Sequence, residues 1–200
     1  IASGTAICGG SAIAAVGPIA KADECEMSVS LATIFVLNAI ALFVFPLLGH
    51  WFHLSQHQFG LWAAIAIHDT SSVVGAGATF GEEALKVATT VKLTRALWII
   101  PVSVFTSIYF KSKGDKVFIP WFILLFILAM VMNTYVNIPK TLTHGIVVVS
   151  RQCLTITLFF IGAGLSRATL KSVGVRPLVL GLTLWFFIAV VSLGFICFLY

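Results

Sequence analysis

Between Ile67 and Gly81 the chain reads IHDTSSVVGAGATFG, a histidine beside an aspartate followed by hydroxyls and glycines. In so apolar a sequence this pattern points to the handling of an ion or a small polar substrate. Hydrocarbon offers exposed backbone no hydrogen bonds, so a glycine-rich, non-helical stretch at membrane depth persists only where it is packed in protein or lines a cavity. An ionisable side chain at that depth marks a functional position. Asp69, Thr70, Ser71 and Ser72 are residue types that cap helix amino termini, which predicts a half-helix restarting here after an unwound turn. Gly75 and Gly77 then let a neighbouring helix approach.

A second stretch has similar chemistry. Ser3 to Ala22, SGTAICGGSAIAAVGPIAKA, is built of small residues, with Gly9, Gly10, Gly17 and Pro18 interrupting any long helix. It predicts a broken or re-entrant span, and Ser3, Thr5 and Ser11 favour a cavity lining. The competing reading is a straight helix whose small residues permit close packing. Downstream, Glu82 and Lys86 stand four apart in the orientation that favours a helical ion pair. Thr89, Lys92 and Arg95 form an adjacent stripe.

Two helix breaks rich in Gly, Ser and Thr are the arrangement of transporters whose discontinuous helices meet at the bilayer midplane. Helix amino termini carry partial positive charge and free N–H groups, suited to an anion such as sulfate or a sulfonate. Lys92 and Arg95 are expected to add to that field. Asp69 beside His68, with a lysine in reach, equally suits proton or sodium coupling, so a cation antiporter stays open. So does a membrane bundle of another role, in which these polar groups only cap helices. A hydrolase built from His68, Asp69, Ser71 and Ser72 is disfavoured, because adjacent residues on one turn rarely provide nucleophile, base and orienter. His50, His53 and His57 share the spacing of one helix face but lack a Cys or carboxylate companion. The four cysteines, Cys8, Cys25, Cys153 and Cys197, lie far apart and read as packing residues. No metal or prosthetic group is required.

The elements that must position these groups follow from composition. Hydrophobic residues make up 60% of the 200 and charged residues 10%, against about 25% charged in a soluble domain, so the chain is an integral membrane protein in a lipid bilayer. At about 20 residues per span it has room for roughly seven or eight helices, a single transmembrane domain over residues 1–200. Ser28 to Phe52 is a spanning helix with Asn38 its lone strongly polar interior residue, read as an interhelical hydrogen bond. A helix ends near Phe110, and spans follow at Val117 to Val136, Gly145 to Leu165 and Pro177 to Tyr200. The formal charge of +5 is spread over loops and helix ends, without the basic face that nucleic-acid binding needs. Lysines in Lys111 to Lys116, with Arg167, Lys171 and Arg176, place those loops in the cytoplasm and the carboxy terminus outside. Arg151 reads as snorkelling to the interface. The opening IASGTAICGG, with no Met and already apolar, reads as the start of a fragment lacking amino-terminal helices.

The stretches SGTAICGGSAIAAVGPI and AIHDTSSVVGAGATFGEEALKVATTVKLTRALWIIPV resemble the YeiH-type (UPF0324-like) bacterial membrane family, to which sulfate export is ascribed. The resemblance covers the whole chain; a glycine at Gly17, where alanine is expected, is a mild departure. It implies an all-α polytopic bundle in a bacterial inner membrane, similar in fold to bile-acid and sodium/proton transporter relatives, with inverted repeats and crossed broken helices. This chain would be the carboxy-terminal part of such a fold. The matching positions are Gly4, Thr5, Gly9, Gly10 and Ser11 in the first motif, His68, Asp69, Thr70, Ser71, Ser72 and Gly75 in the second, then Lys92, Thr94 and Arg95. The expected function is export of sulfate or a related organosulfur anion, with a proton or sodium as candidate coupling ion and a homo-oligomer left open.

Overall fold

The structure, a computed structural model, describes residues 1–110, 125, 128–129, 131–132, 135–136, 139–164 and 174–199. Among them every regular element is helical. The order is α1 (Ala2–Ala6), α2 (Gly10–Ile19), α3 (Glu24–Trp51), α4 (Gln56–Ala66), α5 (Thr70–Phe80), α6 (Glu82–Ala96), α7 (Ile99–Tyr109), α8 (Lys140–Gly164) and α9 (Val175–Leu199). The loop Lys111 to Lys116, most of the expected span 117–136, Arg167, Lys171 and the Arg151 side chain lie outside the described residues, and with them most of the charges that set the expected topology.

Among the described residues three stretches are long and apolar enough to cross a membrane: Glu24–Trp51, Glu82–Tyr109 and Val175–Leu199. The first begins four residues before the expected Ser28, inside the polar stretch. Asp23 accepts from Glu26 N at 2.6 Å while Glu26 accepts from Asp23 N, a capping box that starts the helix there. Ser55 and Gln58 make a second box at the start of α4. This break divides the three histidines: His50 closes α3 and stacks on Phe80, His53 sits in a turn with φ of 53°, and His57 opens α4. They therefore do not share one helix face.

Both small-residue stretches are interrupted. The first breaks between α1 and α2 at Ile7–Gly9, which removes the straight-helix reading, and the second breaks between α4 and α5 at Ile67–Asp69, where Ile67 and Asp69 are extended. The expected single helix to Phe110 is also divided, by a turn at Leu97–Trp98 between α6 and α7.

α6 packs against both α4 and α5. With lipid as apolar as leucine, helices associate through close van der Waals packing, which small residues permit. A Cβ on Gly60 would lie 2.9 Å from the Ala84 carbonyl oxygen, and one on Gly77 would lie 3.0 Å from Leu85 Cα. Ala63, Ala64, Ala66, Ala84 and Ala88 on α4 and α6 are buried. Around them Phe45, Phe59, Trp62, Ile67 and Val73 form the main core. Trp62 Nε1 donates to Ala189 O at 2.9 Å, tying α4 to α9. A smaller cluster of Ile7, Cys8, Ala12, Ala15, Ala96 and Ile99 joins the first break to the α6–α7 turn. The outer faces are apolar, with Phe43, Leu47, Phe105, Ile108 and Phe198 exposed, as lipid contact requires. Of the cysteines, Cys8 is buried in this packing and Cys25, Cys153 and Cys197 are exposed.

Candidate functional site: the crossing of two broken helices

The two breaks touch. A Cβ on Gly9 would stand 3.3 Å from the His68 carbonyl oxygen and 3.4 Å from Asp69 Cα. Gly9 has φ of 68° and ψ of −122°, a region almost confined to glycine, so the first break can turn sharply while lying against the second. Gly10, the first residue of α2, is half-buried against Leu31 and Phe35.

A broken helix exposes a carboxy-terminal set of carbonyls and an amino-terminal set of N–H groups at membrane depth, none with an intrahelical partner. The carbonyl ends are satisfied from α6. Arg95 donates through Nε to Ala6 O at 2.9 Å, through Nη2 to Ala6 O at 2.6 Å and Thr5 O at 3.1 Å, and through Nη1 to Ile65 O at 2.7 Å and Ala64 O at 3.1 Å. All five guanidinium donors are used, and one side chain joins the ends of α1 and α4. Lys92, fully buried, donates from Nζ to Ile67 O at 2.7 Å. The expectation that these cations extend a field open to an anion is thus modified. They sit at the negative ends of helix dipoles and neutralise them.

The amino-terminal ends are treated unequally. Asp69 caps α5, accepting from Ser71 N at 3.0 Å, as its residue type predicts. At α2 the N-cap is Gly9, which has no side chain to offer, and the Cys8 thiol faces Ser11 and the Ala12 N–H in the first turn. Asn38 holds the second break from α3, its Oδ1 accepting from His68 N at 3.2 Å and Asp69 N at 3.3 Å. Its interhelical role is the expected one, but its partner is the unwound backbone. It belongs with the site, and the signal was present: one amide in an otherwise apolar span. Replacing Asn38 by leucine leaves two backbone N–H groups without their acceptor and is expected to cost about 3 kcal/mol, read as a lower unfolding midpoint of the detergent-solubilised protein. An unchanged midpoint removes Asn38 from the support of the break.

Several buried polar atoms at and around the crossing have no partner among the described residues: both ring nitrogens of His68, Thr5 Oγ1, Asn38 Nδ2, and Ser103 Oγ on α7. Such groups are rare in folded proteins, and each needs a reason. Lys92 lies within electrostatic range of His68, Asp69 and Cys8. Ser72 is buried in the first turn of α5, where Thr70 is half-buried, and Ser11 is half-buried in the first turn of α2. Gly75 stands apart, six residues beyond Asp69 or roughly 9 Å of helix rise, and its carbonyl accepts from Thr79. A cleft of about 410 Å³ opens between α1, α2, α3 and α9, lined among others by Ser3, Val16, Met27 and Ser30.

The model of the family described as conserved hypothetical protein 698 matches residues 1–181, across both breaks and the helix that ties them. The chain belongs to this family. Its relatives include a UPF0324 membrane protein of Bacteroides thetaiotaomicron, 64% identical over 200 residues, covering 99% of this chain and 60% of that protein. A UPF0324 membrane protein of Porphyromonas gingivalis is 61% identical over 199 residues, covering 98% of this chain and 60% of the relative. A third, from Photobacterium profundum, is 53% identical over 196 residues with 98% and 60% covered. The chain thus spans about three fifths of the length of these relatives. No solved structure matches it. Membership accounts for the resemblance of the two glycine-rich motifs, and with the apolar helices it makes the protein a multi-pass integral membrane protein.

Proposed function

We propose that this protein is a secondary transporter of a small anion, sulfate or a related organosulfur species, in a bacterial inner membrane with its carboxy terminus outside, and that the substrate is handled where the two broken helices cross. The observation that carries the reading is the unequal treatment of the helix ends. Both carbonyl ends are neutralised by Arg95 and Lys92 and the α5 amino terminus by Asp69, whereas among the described residues no carboxylate caps the α2 amino terminus, whose first turn faces only the Cys8 thiol and which lies against the break that holds the His68 ring. N–H groups without an acidic cap and with a dipole behind them favour an anion.

The cation-antiporter reading has less support. A coupling sodium needs oxygen ligands, and the carbonyls that a helix break offers are engaged by Lys92 and Arg95, while one Asp69 oxygen is engaged by Ser71 N. A purely structural bundle does not account for the buried groups that have no partner among the described residues.

The test is gradient-driven flux of radiolabelled sulfate and of radiolabelled methanesulfonate in proteoliposomes of the full-length protein, with Asp69→Asn as control. Flux of either anion that falls at least tenfold in the variant is the expected result. Absence of flux for both, with proton or sodium exchange present, replaces this reading by the antiporter.

A further inference from the structure

The two breaks reach their meeting point from different ends of α3. That helix, 28 residues between the capping box at Asp23 and the turn at Phe52, is long and apolar enough to cross the bilayer and serves as a ruler. The end of α5 returns to the beginning of α4. Phe80 stacks on Phe59 with ring centroids 3.9 Å apart and on His50, near the end of α3, at 4.4 Å, while Gln56 Oε1 accepts from Glu83 N at 3.0 Å. A helix continuing from Phe59 through the break would carry Phe80 roughly 30 Å away. α4 and α5 therefore form a hairpin whose two ends lie beside the end of α3. Each arm has 11 residues, about 17 Å of rise and half the apolar thickness of a bilayer. Two contacts place the tip at that depth independently: it is held by Asn38, midway along α3, and by Lys92, well inside the Glu82–Tyr109 stretch.

The first break turns back toward the other end of the ruler. α2 starts with Gly10 against Leu31 and Phe35 and continues to Gly17 against Met27, so it runs antiparallel to α3 toward that helix's beginning. α1 folds alongside it. A Cβ on Gly4 would lie 3.0 Å from Ile13 Cδ1, and Ile1 and Ala20 line one cleft, although a continuous helix would hold those two residues roughly 28 Å apart. We infer that α1–α2 and α4–α5 are re-entrant hairpins that enter from opposite faces of the membrane and meet tip to tip at mid-depth, where Gly9 lies against His68 and Asp69. The arrangement departs from two broken helices that each continue across the bilayer, and it holds whatever solute the protein handles. Unwound backbone survives at that depth because it is packed in protein, and here Arg95 and Lys92 serve the carbonyls of both tips. The contact between the tips then stands one hairpin away from either face. α4–α5 fills the half of the barrier toward the face where α3 ends, and α1–α2 the half toward the face where α3 begins.

Labelling from the two faces decides it. Gln56 and Glu83 are exposed at the mouth of α4–α5, and the native Cys25 is exposed in the first turn of α3. Single-cysteine versions of the full-length protein, carrying Gln56→Cys, Glu83→Cys or Cys25 alone, are treated with a membrane-impermeant maleimide in intact cells and in inverted membrane vesicles. Gln56→Cys and Glu83→Cys are expected to react at least tenfold faster from one and the same face, and Cys25 from the other. Reaction of Gln56→Cys and Glu83→Cys from opposite faces overturns the inference, because α4–α5 would then cross the bilayer. Reaction of all three from one face overturns it as well, because the hairpins would then share an entrance. If the cysteine-depleted background does not fold, the double variant Gln56→Cys, Glu83→Cys with the native cysteines kept is treated with a short bismaleimide and its linked peptides are identified by mass spectrometry. A link between the two positions is expected. Modification of both without a link overturns the hairpin, since a continuous helix would separate them by roughly 40 Å.

Discussion

Replacing Arg95 by leucine is expected to destabilise the protein by about 4 kcal/mol, the range found when one partner of a buried charged contact is removed, or roughly 10 °C in the unfolding midpoint. Leucine is the stringent choice because it is more at home in lipid than arginine, so any loss comes from the contacts and not from solvation of the new side chain. Those contacts are unusual in reach. One guanidinium holds Thr5 and Ala6 at the end of α1 and Ala64 and Ile65 at the end of α4, carbonyls that helix geometry leaves without partners. Lysine keeps the charge but is a point donor without the planar fork. Arg95→Lys is therefore expected to fall between the wild type and leucine, since it can serve one break well and not both. Differential scanning fluorimetry of the three purified proteins checks the order. Equal midpoints for arginine and lysine would show that charge suffices and that the fork does not staple the helices.

The second break was legible in the sequence because residue chemistry marks it. Asp69, Thr70, Ser71 and Ser72 are capping types standing where a span should continue, and Asp69 does cap α5. The roles of Lys92 and Arg95 were not legible. Their acceptors are backbone carbonyls, which every residue possesses, and only the three-dimensional meeting of two breaks shows which carbonyls lack partners. A cation on a helix stripe looks the same in sequence whether it faces a substrate or a helix end. The start of α3 was missed for another reason: the Asp23-to-Glu26 pattern is a capping box, but its charges resemble a loop when weighed by polarity alone. Asn38 was legible as a polar contact but not as the acceptor for unwound backbone, since its partner is thirty residues away and carries no side-chain signature.

Gly9 presents the same contrast, because the sequence lists several glycines near the breaks without saying which one the crossing needs. Gly9→Ala is expected to cost about 3 kcal/mol, combining a backbone conformation nearly confined to glycine with a Cβ pressed against the His68 carbonyl oxygen at 3.3 Å and Asp69 Cα at 3.4 Å. These neighbours are backbone held by Asn38 and capped by Asp69, so they cannot give way without opening the second break. Gly10→Ala is the matched control. A Cβ there meets the end of the flexible Leu31 side chain at 3.3 Å, and Gly10 is not among the glycines with positive φ. Alanine in a helix also loses less conformational freedom on folding than glycine, so this variant is expected to stay within about 1 kcal/mol of the wild type. Unfolding midpoints and anion flux measured on both variants separate the cases. Loss of both properties in Gly9→Ala, with both retained in Gly10→Ala, ties function to the contact between the breaks. Equal behaviour of the two variants means that the crossing tolerates a side chain at its centre, and the site must then lie elsewhere along these helices.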